Sequence, residues 1–368
     1  MNILRRLPLS RLLLLCGVVV TVGVSATALA SALSAGPTPA PKPLASAVHD
    51  ALSAPAEQGV SANVRLTDHL LEGANLAGGE GGEAGQLATS PLLSGASGRL
   101  WISADGRARL ELEAEKGDTQ ILYDGHTLQL YDASKNTLYR YTVRAAKADS
   151  AAPEPERHHE APSLAKTEEA ISRLRKHADV SGATPTDVAG QPAYTVRISP
   201  SEGGSLFGGV ELSWDAVHGV PLRAAVYSTN GAAPVIELAA TEISYGAVDA
   251  SVFDFTPPAG AKVHDVSPSG GGSSSTPQGS HGGGGRPKLT TRGHGISTIG
   301  VLESKAGAGS KESSSLSASL PKVSINGVSA SELATPLGTL LSFERSGVRY
   351  LLAGSVTPSA LEAVARGL

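Results

Sequence analysis

The chain has 368 residues, 40% hydrophobic and 17% charged, enough apolar content for one large or two modest domains with a buried core. Its formal net charge is −4 and no basic-aromatic run lies beyond the N-terminus, which argues against nucleic acid as a partner. The single cysteine, Cys16, lies in the N-terminal apolar stretch, so the rest of the chain has no thiol for a disulfide framework, a thiolate zinc site or a cysteine nucleophile.

The N-terminus carries Arg5, Arg6 and Arg11, then an uncharged apolar run from Leu12 to Leu33 containing Ala28-Leu29-Ala30. This is the layout of a secretory signal. The same 22 residues are long enough to span a bilayer if they are not cut. A cleaved signal and a retained anchor both stay open. Either way, the arginines place the body of the chain outside the cytoplasmic membrane.

GPTPAPKP (36–43) reads as an extended spacer, since each proline disfavours helix just before it. LASAVHDALSA (44–54) reads as a short amphipathic helix with Leu44, Val48, Ala51 and Leu52 on one face. Alternating segments follow. VSANVRLTD aligns Val60, Ala62, Val64 and Leu66; SGRLWISAD aligns Leu100 and Ile102, with Trp101 opposite. After the Asp105-Gly106 turn, Ala108, Leu110, Leu112 and Ala114 share a face, and Arg107, Arg109, Glu111 and Glu113 the wet one. Glu111 and Glu113 read as partners in charge pairing across strands. TQILYDGHTLQLYD turns at Asp124-Gly125 and aligns Leu128 and Leu130; NTLYRYTV follows. Period two with short turns predicts an antiparallel meander.

SLAKTEEAISRLRKHADV (163–180) interrupts it with helical spacing at Leu164, Ala170, Ile171 and Leu174, and Ser163 placed to cap. Strands resume with Tyr194, Val196 and Ile198, then Val210, Leu212 and Trp214, then 221–228, which holds Leu222 and Val226, and 234–244. In VFDFTPPAGAKV (252–263), Phe253 and Phe255 are expected to alternate into the core while Pro257-Pro258 ends the ladder. About ten strands are expected in all.

Two stretches read as mobile loops: the glycine-rich insertion around 78–85 and the polar segment 147–162. After Val263 comes a Gly/Ser linker. ISTIGVLE, KVSIN, TLLSFE and VRYLLAG then read as short strands, and TPSALEAVARGL as a helix with Thr357 as N-cap and Pro358 at its first position.

A wide antiparallel sheet with one apolar face must hide that face. Two helices are few for about ten strands. The sheet is therefore expected to curl under a helical lid, leaving an apolar cavity. Candidate cavity residues are Val64, Leu66, Leu100, Ile102, Leu110, Leu112, Leu128, Leu130, Tyr194, Val196, Ile198, Leu212, Trp214, Leu222 and Val226. The lid residues are Leu164, Ile171 and Leu174. For any one of them, plain core packing is the competing reading.

Other chemistry finds little footing. His158-His159, with Glu154, Glu156 and Glu160 nearby, point apart in an extended segment, which is poor metal geometry. No metal or other cofactor is expected. No G-x-S-x-G, H-E-x-x-H or P-loop motif occurs, AGAGSKES (306–313) lacks the Gly-Lys pair, and no catalytic residue is assigned. Trp101 and Trp214 read as packing anchors, or as platforms for a sugar or a cavity rim.

The order helix, meander, insertion helix, meander carries a resemblance. SGRLWISADGRARLELE, ILYDGHTLQLYDASKNTLYRY, GQPAYTVRIS with VELSWDAVHGVPLRAAVY, and the close VDASVFDFTPPAGAKV together resemble the outer-membrane lipoprotein carrier (LolA-type) superfamily. That superfamily includes the N-terminal domain of periplasmic sigma-E regulators. The tail VRYLLAGSVTPSALEAVARGL resembles an extension of actinobacterial members. The resemblance covers roughly 44–263. It implies a mainly β, α+β fold: a curled antiparallel half-barrel of eleven strands with a helical lid. The chain departs from that pattern in its open choice of a retained N-terminal anchor, its glycine-rich insertion at 78–85 and its small C-terminal α/β appendage. The implied division is 1–33 signal or anchor, 34–43 spacer, 44–263 half-barrel, 264–290 linker and 291–368 extension. It also implies acyl chains of lipids or lipoproteins as cavity ligands. The rival expectation is an envelope-stress or sigma-factor regulator that binds a membrane protein through its C-terminal extension.

Overall fold

The computed structural model describes residues 36–72, 91–115, 117–142, 161–266, 288–305 and 320–368. The N-terminal apolar run, the glycine-rich insertion, His158-His159 and AGAGSKES lie outside the described residues. Among the described residues, no helix is long and apolar enough to cross a membrane.

Helix α1 (Leu44–Ser53) leads into β1 (Gly59–Asp68), the short helix α2 (Pro91–Ser94), β2 (Ala96–Ser103), β3 (Ala108–Ala114), β4 (Gly117–Tyr123), β5 (Thr127–Asp132) and β6 (Thr137–Thr142). Helix α3 (Leu164–Leu174) follows, then β7 (Ala178–Val180), β8 (Thr184–Val188), β9 (Gln191–Pro200), β10 (Phe207–Asp215), β11 (Pro221–Ser228), β12 (Pro234–Tyr245) and β13 (Lys262–Val266). These form one thirteen-stranded sheet in the order β13-β6-β5-β4-β3-β2-β1-β12-β11-β10-β9-β7, with β8 also on β9. The sheet is curled and open, the mainly β half-barrel expected from the sequence. Strand β1 pairs β2 on one side and β12 on the other and so joins the two meanders.

The strand count exceeds the expected ten, and the eleven of the resemblance, because of β7, β8 and β13. The helix expected over 163–180 stops at Leu174. The amides of Lys176 and His177 bond back only three residues, to Arg173 and Leu174, tightening the last turn. The chain then straightens, and Asp179 and Val180 pair with Ser199 and Ile198 at the edge of β9. The β-branched Val180 packs better there than on a helix.

The Phe-x-Phe close is also different. Residues Ala250–Phe253 form a 3-10 turn capped by the Asp249 side chain, so Phe253 and Phe255 do not alternate in a strand. The segment crosses the outer face as a strap. Phe253 lies under the Arg107 guanidinium at 4.8 Å and Phe255 packs on Tyr131 at 5.4 Å. Arg109 Nη1 donates to the Val252 carbonyl at 2.7 Å. Both prolines pass without joining a ladder, and the chain then re-enters the sheet as β13, parallel to β6. The supposedly wet face of β3 is therefore partly covered, and Arg109 pairs with Glu111 on its own strand rather than across strands.

A second, six-stranded sheet holds β14 (Lys288–Arg292), β15 (Ile299–Lys305), β16 (Lys322–Ile325), β17 (Val328–Thr335), β18 (Gly338–Arg345) and β19 (Val348–Gly354), in the order β14-β15-β19-β18-β17-β16. Helix α4 (Pro358–Arg366) packs on it, with Thr357 Oγ1 accepting from the Ala360 amide. This unit has its own core of Ile299, Val301, Leu341, Phe343, Leu352 and Leu361, among others. Two of its strands, β14 and β17, were not expected. It touches the half-barrel where the Leu206 amide donates to the Ser355 carbonyl (2.8 Å) and Ser205 Oγ to Ser355 Oγ (3.0 Å).

Candidate functional site

Register decides which side chains share a face, because one step along a strand inverts the side. A single row runs Tyr139, Leu130, Ile121, Leu110, Leu100, Ala62, Ile243 across seven neighbouring strands. Another runs Leu66, Leu238, Ala224, Leu212, Val196. The same register places Val64 opposite Gly98 and, through it, Leu112; Ile102 opposite Ala108; and Trp214 opposite Tyr194. Leu128, Ile198 and Val226 fall on this face too. Leu222 is the exception by pairing, for it sits unpaired in the bulge where Trp214 meets Pro221.

The helices lie on this same face. Leu44 and Ala47 of α1 and Ile171 of α3 pack into one cluster with Tyr194, Val196, Ile198 and Trp214. Leu92 of α2 packs against the cluster of Ala62, Val64 and Leu112, which Leu66, Leu100 and Leu110 also border. The Tyr194 hydroxyl reaches back to the Ala40 carbonyl at 2.6 Å, which fastens the spacer before α1 to the sheet. The face of α1 differs slightly from expectation: Ala47 is buried, while Leu52 in the last turn is exposed.

Leu222 apart, the candidate cavity residues thus share a face but not an environment. Val64, Leu112, Tyr194, Val196 and Leu222 are buried core. Leu66, Leu100, Ile102, Leu110, Leu130, Ile198, Trp214 and Val226 are half-buried. Leu128 and Leu212 are open, at 40% and 42% exposure, as is Tyr139 at 37%. On α3, Ile171 is half-buried while Leu164 and Leu174 are 38% and 39% exposed. Uncovered apolar side chains therefore occur both on the inner face of the sheet and on the helix above it. Tyr139, together with His264 stacked on it at 5.6 Å, extends this surface to the edge strand β13. Sequence reasoning missed both: Tyr139 was read only as part of a strand, and His264 lies just past the 252–263 stretch read as the exit of the sheet.

A polar cluster anchors the tip of the β10–β11 hairpin. Asp215 is fully buried, and its Oδ1 accepts from the Val217 and His218 amides at 2.7 and 2.9 Å. Its Oδ2 accepts from the Tyr245 hydroxyl at 2.6 Å. His218 stacks on Tyr245 at 3.8 Å. Burial and the Asp215 carboxylate raise the Tyr245 pKa, so the phenol stays a donor.

Two clefts among the described residues open on the outer face, away from the helices. One, of about 250 Å³, is roofed by Phe253 and Phe255 of the strap. The other, of about 220 Å³, is lined by Trp101 and its neighbours. Trp101 and Trp214 therefore lie on opposite faces of one sheet.

No protein-family model matches the chain, and no curated protein matches it. Among solved structures it is similar to MucB in complex with MucA(peri), at 14% identity over 88% of this chain and 94% of that chain, with a TM-score of 0.42. It is similar to the Pseudomonas aeruginosa MucA/MucB complex at 16% identity, over 87% and 95% of the two chains, with a TM-score of 0.41. It is also similar to a LolA-superfamily protein from Nitrosomonas europaea at 10% identity, over 84% and 90%, with a TM-score of 0.19.

Proposed function

We propose that the chain is a non-enzymatic, extracytoplasmic binding protein that holds acyl chains of lipids or lipoproteins against the helix-bearing face of its open sheet. The observation that carries this reading is the exposure of Leu128, Tyr139 and Leu212 on that face, with Leu164 and Leu174 exposed on α3. Leaving several large apolar side chains about two-fifths exposed on one face is unfavourable by roughly 0.5–1 kcal/mol for each that could be buried further. A flexible apolar ligand would recover that energy without needing hydrogen bonds. The working step is differential binding: α3 shifts, chains enter, and release needs a competing site.

The test is native mass spectrometry with lipid extraction on the protein isolated from its own host's envelope. Acyl lipid at about one per chain, reduced by Leu212→Asp, is the expected result. A ligand-free protein whose inner face is shielded in solution would overturn the reading.

A second reading keeps the fold and changes the task. The C-terminal unit has a core of its own and meets the half-barrel at Ser355 and beside Gly295, where the Glu202 side chain lies. That independence suits a regulatory module which binds a membrane protein while the half-barrel senses lipid. Removing residues 288–368 would abolish partner capture but spare lipid binding on this reading.

A further inference from the structure

The outer face carries a compact polar grid with one aromatic. Three adjacent strands contribute two residues each: Ser61 and Asn63 from β1, Arg99 and Trp101 from β2, Glu242 and Ser244 from β12. Register sets Ser61 between Trp101 and Ser244, and Asn63 between Arg99 and Glu242. The six side chains therefore point the same way, opposite to the helix-bearing face, and they line the cleft of about 220 Å³.

The grid ends at a β-bulge. The pairing of β1 with β12 shifts between Asn63 and Val64, leaving Thr241 as the extra residue. Its hydroxyl donates to the Asn63 carbonyl at 3.2 Å. Bulges re-aim side chains and bend the strand locally, which is how a flat sheet face acquires a depression here.

The chemistry of the lining is specific. Trp101 is half-buried, so its ring is held in place while part of it meets solvent. Asn63 Nδ2 donates to Glu242 Oε2 at 2.7 Å, which orients both planar groups. The remaining lone pairs of Glu242 and the side-chain Oδ1 of Asn63 stay available as acceptors. Arg99 is exposed and makes no hydrogen bond or ion pair among the described residues. The lining thus holds one cation and one anion and is neutral overall. That balance disfavours an anionic or a cationic ligand and suits a neutral one with many hydroxyls. The volume is below the roughly 300–1,000 Å³ of sites for drug-sized ligands, so it fits a ring rather than an acyl chain.

We infer that this cleft is a saccharide-binding site, in which a neutral sugar ring lies on Trp101 and its hydroxyls are read by Asn63, Arg99 and Glu242. The site is independent of the lipid reading, since it lies on the other face of the sheet.

The test uses the fact that the chain has two tryptophans, one on each face. In a Trp214→Phe background, Trp101 is the only indole. That protein is titrated with maltotriose, mannotriose, tri-N-acetylglucosamine and, as a charged control, sialyllactose, and binding to the unmodified chain is measured by calorimetry. At least one neutral trisaccharide is expected to shift Trp101 emission, and Trp101→Ala to weaken its binding at least about tenfold. Asn63→Ala and Glu242→Gln, on the exposed rim, are expected to weaken it about fivefold with unchanged circular dichroism. They keep the test sharp if the Trp101 variant does not fold. Absence of binding by all three neutral sugars, binding indifferent to the rim variants, or preference for the charged control would overturn the inference.

Discussion

The Tyr245 hydroxyl donates to Asp215 Oδ2 at 2.6 Å and so ties the end of β12 to the tip of the β10–β11 hairpin. Burial alone would raise the Asp215 pKa, but Tyr245 and the His218 and Val217 amides outweigh it and hold the carboxyl below its ordinary value. A depressed folded pKa contributes stability that is complete above the unfolded value, near about 4, and is lost as pH falls through the folded one. Tyr245→Phe is expected to cost about 1.5–3 kcal/mol at pH 7 and progressively less below about pH 4. Urea midpoints across that range check it. A cost that stayed constant into acid would show that the hydrogen bond to the carboxylate is not its source.

Gly219 follows four residues after Asp215 and has φ +69, with the Ala51 carbonyl of α1 lying where its Cβ would be. Only glycine fits both the conformation and the approach. Gly219→Ala is expected to destabilise the protein by more than about 1 kcal/mol and to push α1 from the sheet. Hydrogen exchange is the readout: α1 amides lose protection while β3–β5 keep theirs. Equal loss in both places would mean that the hairpin tip does not specifically hold α1.

Leu112 and Leu212 share a face, yet they should respond in opposite ways. Leu112 is 1% exposed between Ala62, Val64 and Leu92, and Leu112→Ala is expected to cost about 2–5 kcal/mol. Leu212, at 42%, should lose less than about 1 kcal/mol as alanine while losing apolar ligand. Denaturation midpoints paired with lipid content separate the two. A large stability loss at Leu212 would mean that it is core in solution, and the proposed ligand surface would shrink accordingly.

Much of this was legible in period two. Alternation assigned the ten long strands and the shared face of the cavity candidates, because each of those strands has one apolar side and tight turns such as Asp105-Gly106 and Asp124-Gly125. What alternation could not show was which shared-face residues stay open, since that depends on where α1, α2 and α3 land. Strand β17 was missed because Ser329, Ser331, Glu332 and Thr335 blur its pattern. The turn before it was readable: Asn326 and Gly327 have φ 49 and 82, the pair a two-residue hairpin asks for. Strand β8 was hidden in the same way, with Pro185 masking a strand that the Ala189-Gly190 turn delimits. The sugar cleft had one visible sign, Trp101 on the polar side of its strand. Its other five residues come together only through the register of β1 with β12 and β2.

The C-terminal unit allows a last prediction. Leu352 is fully buried in a core made only of residues from 299 onward. Its removal should therefore be felt locally. Leu352→Ala is expected to cost about 2–5 kcal/mol within that unit. If the unit unfolds on its own, calorimetry of the full chain will show two transitions, of which the variant lowers one. Ser205 Oγ reaches Ser355 Oγ from the half-barrel side, so Ser205→Ala should loosen the coupling without shifting the variant's own transition further. A single cooperative transition lowered as a whole would mean that half-barrel and appendage share their stability. The unit would then be part of the lipid-binding body, and the regulatory reading would lose its physical basis.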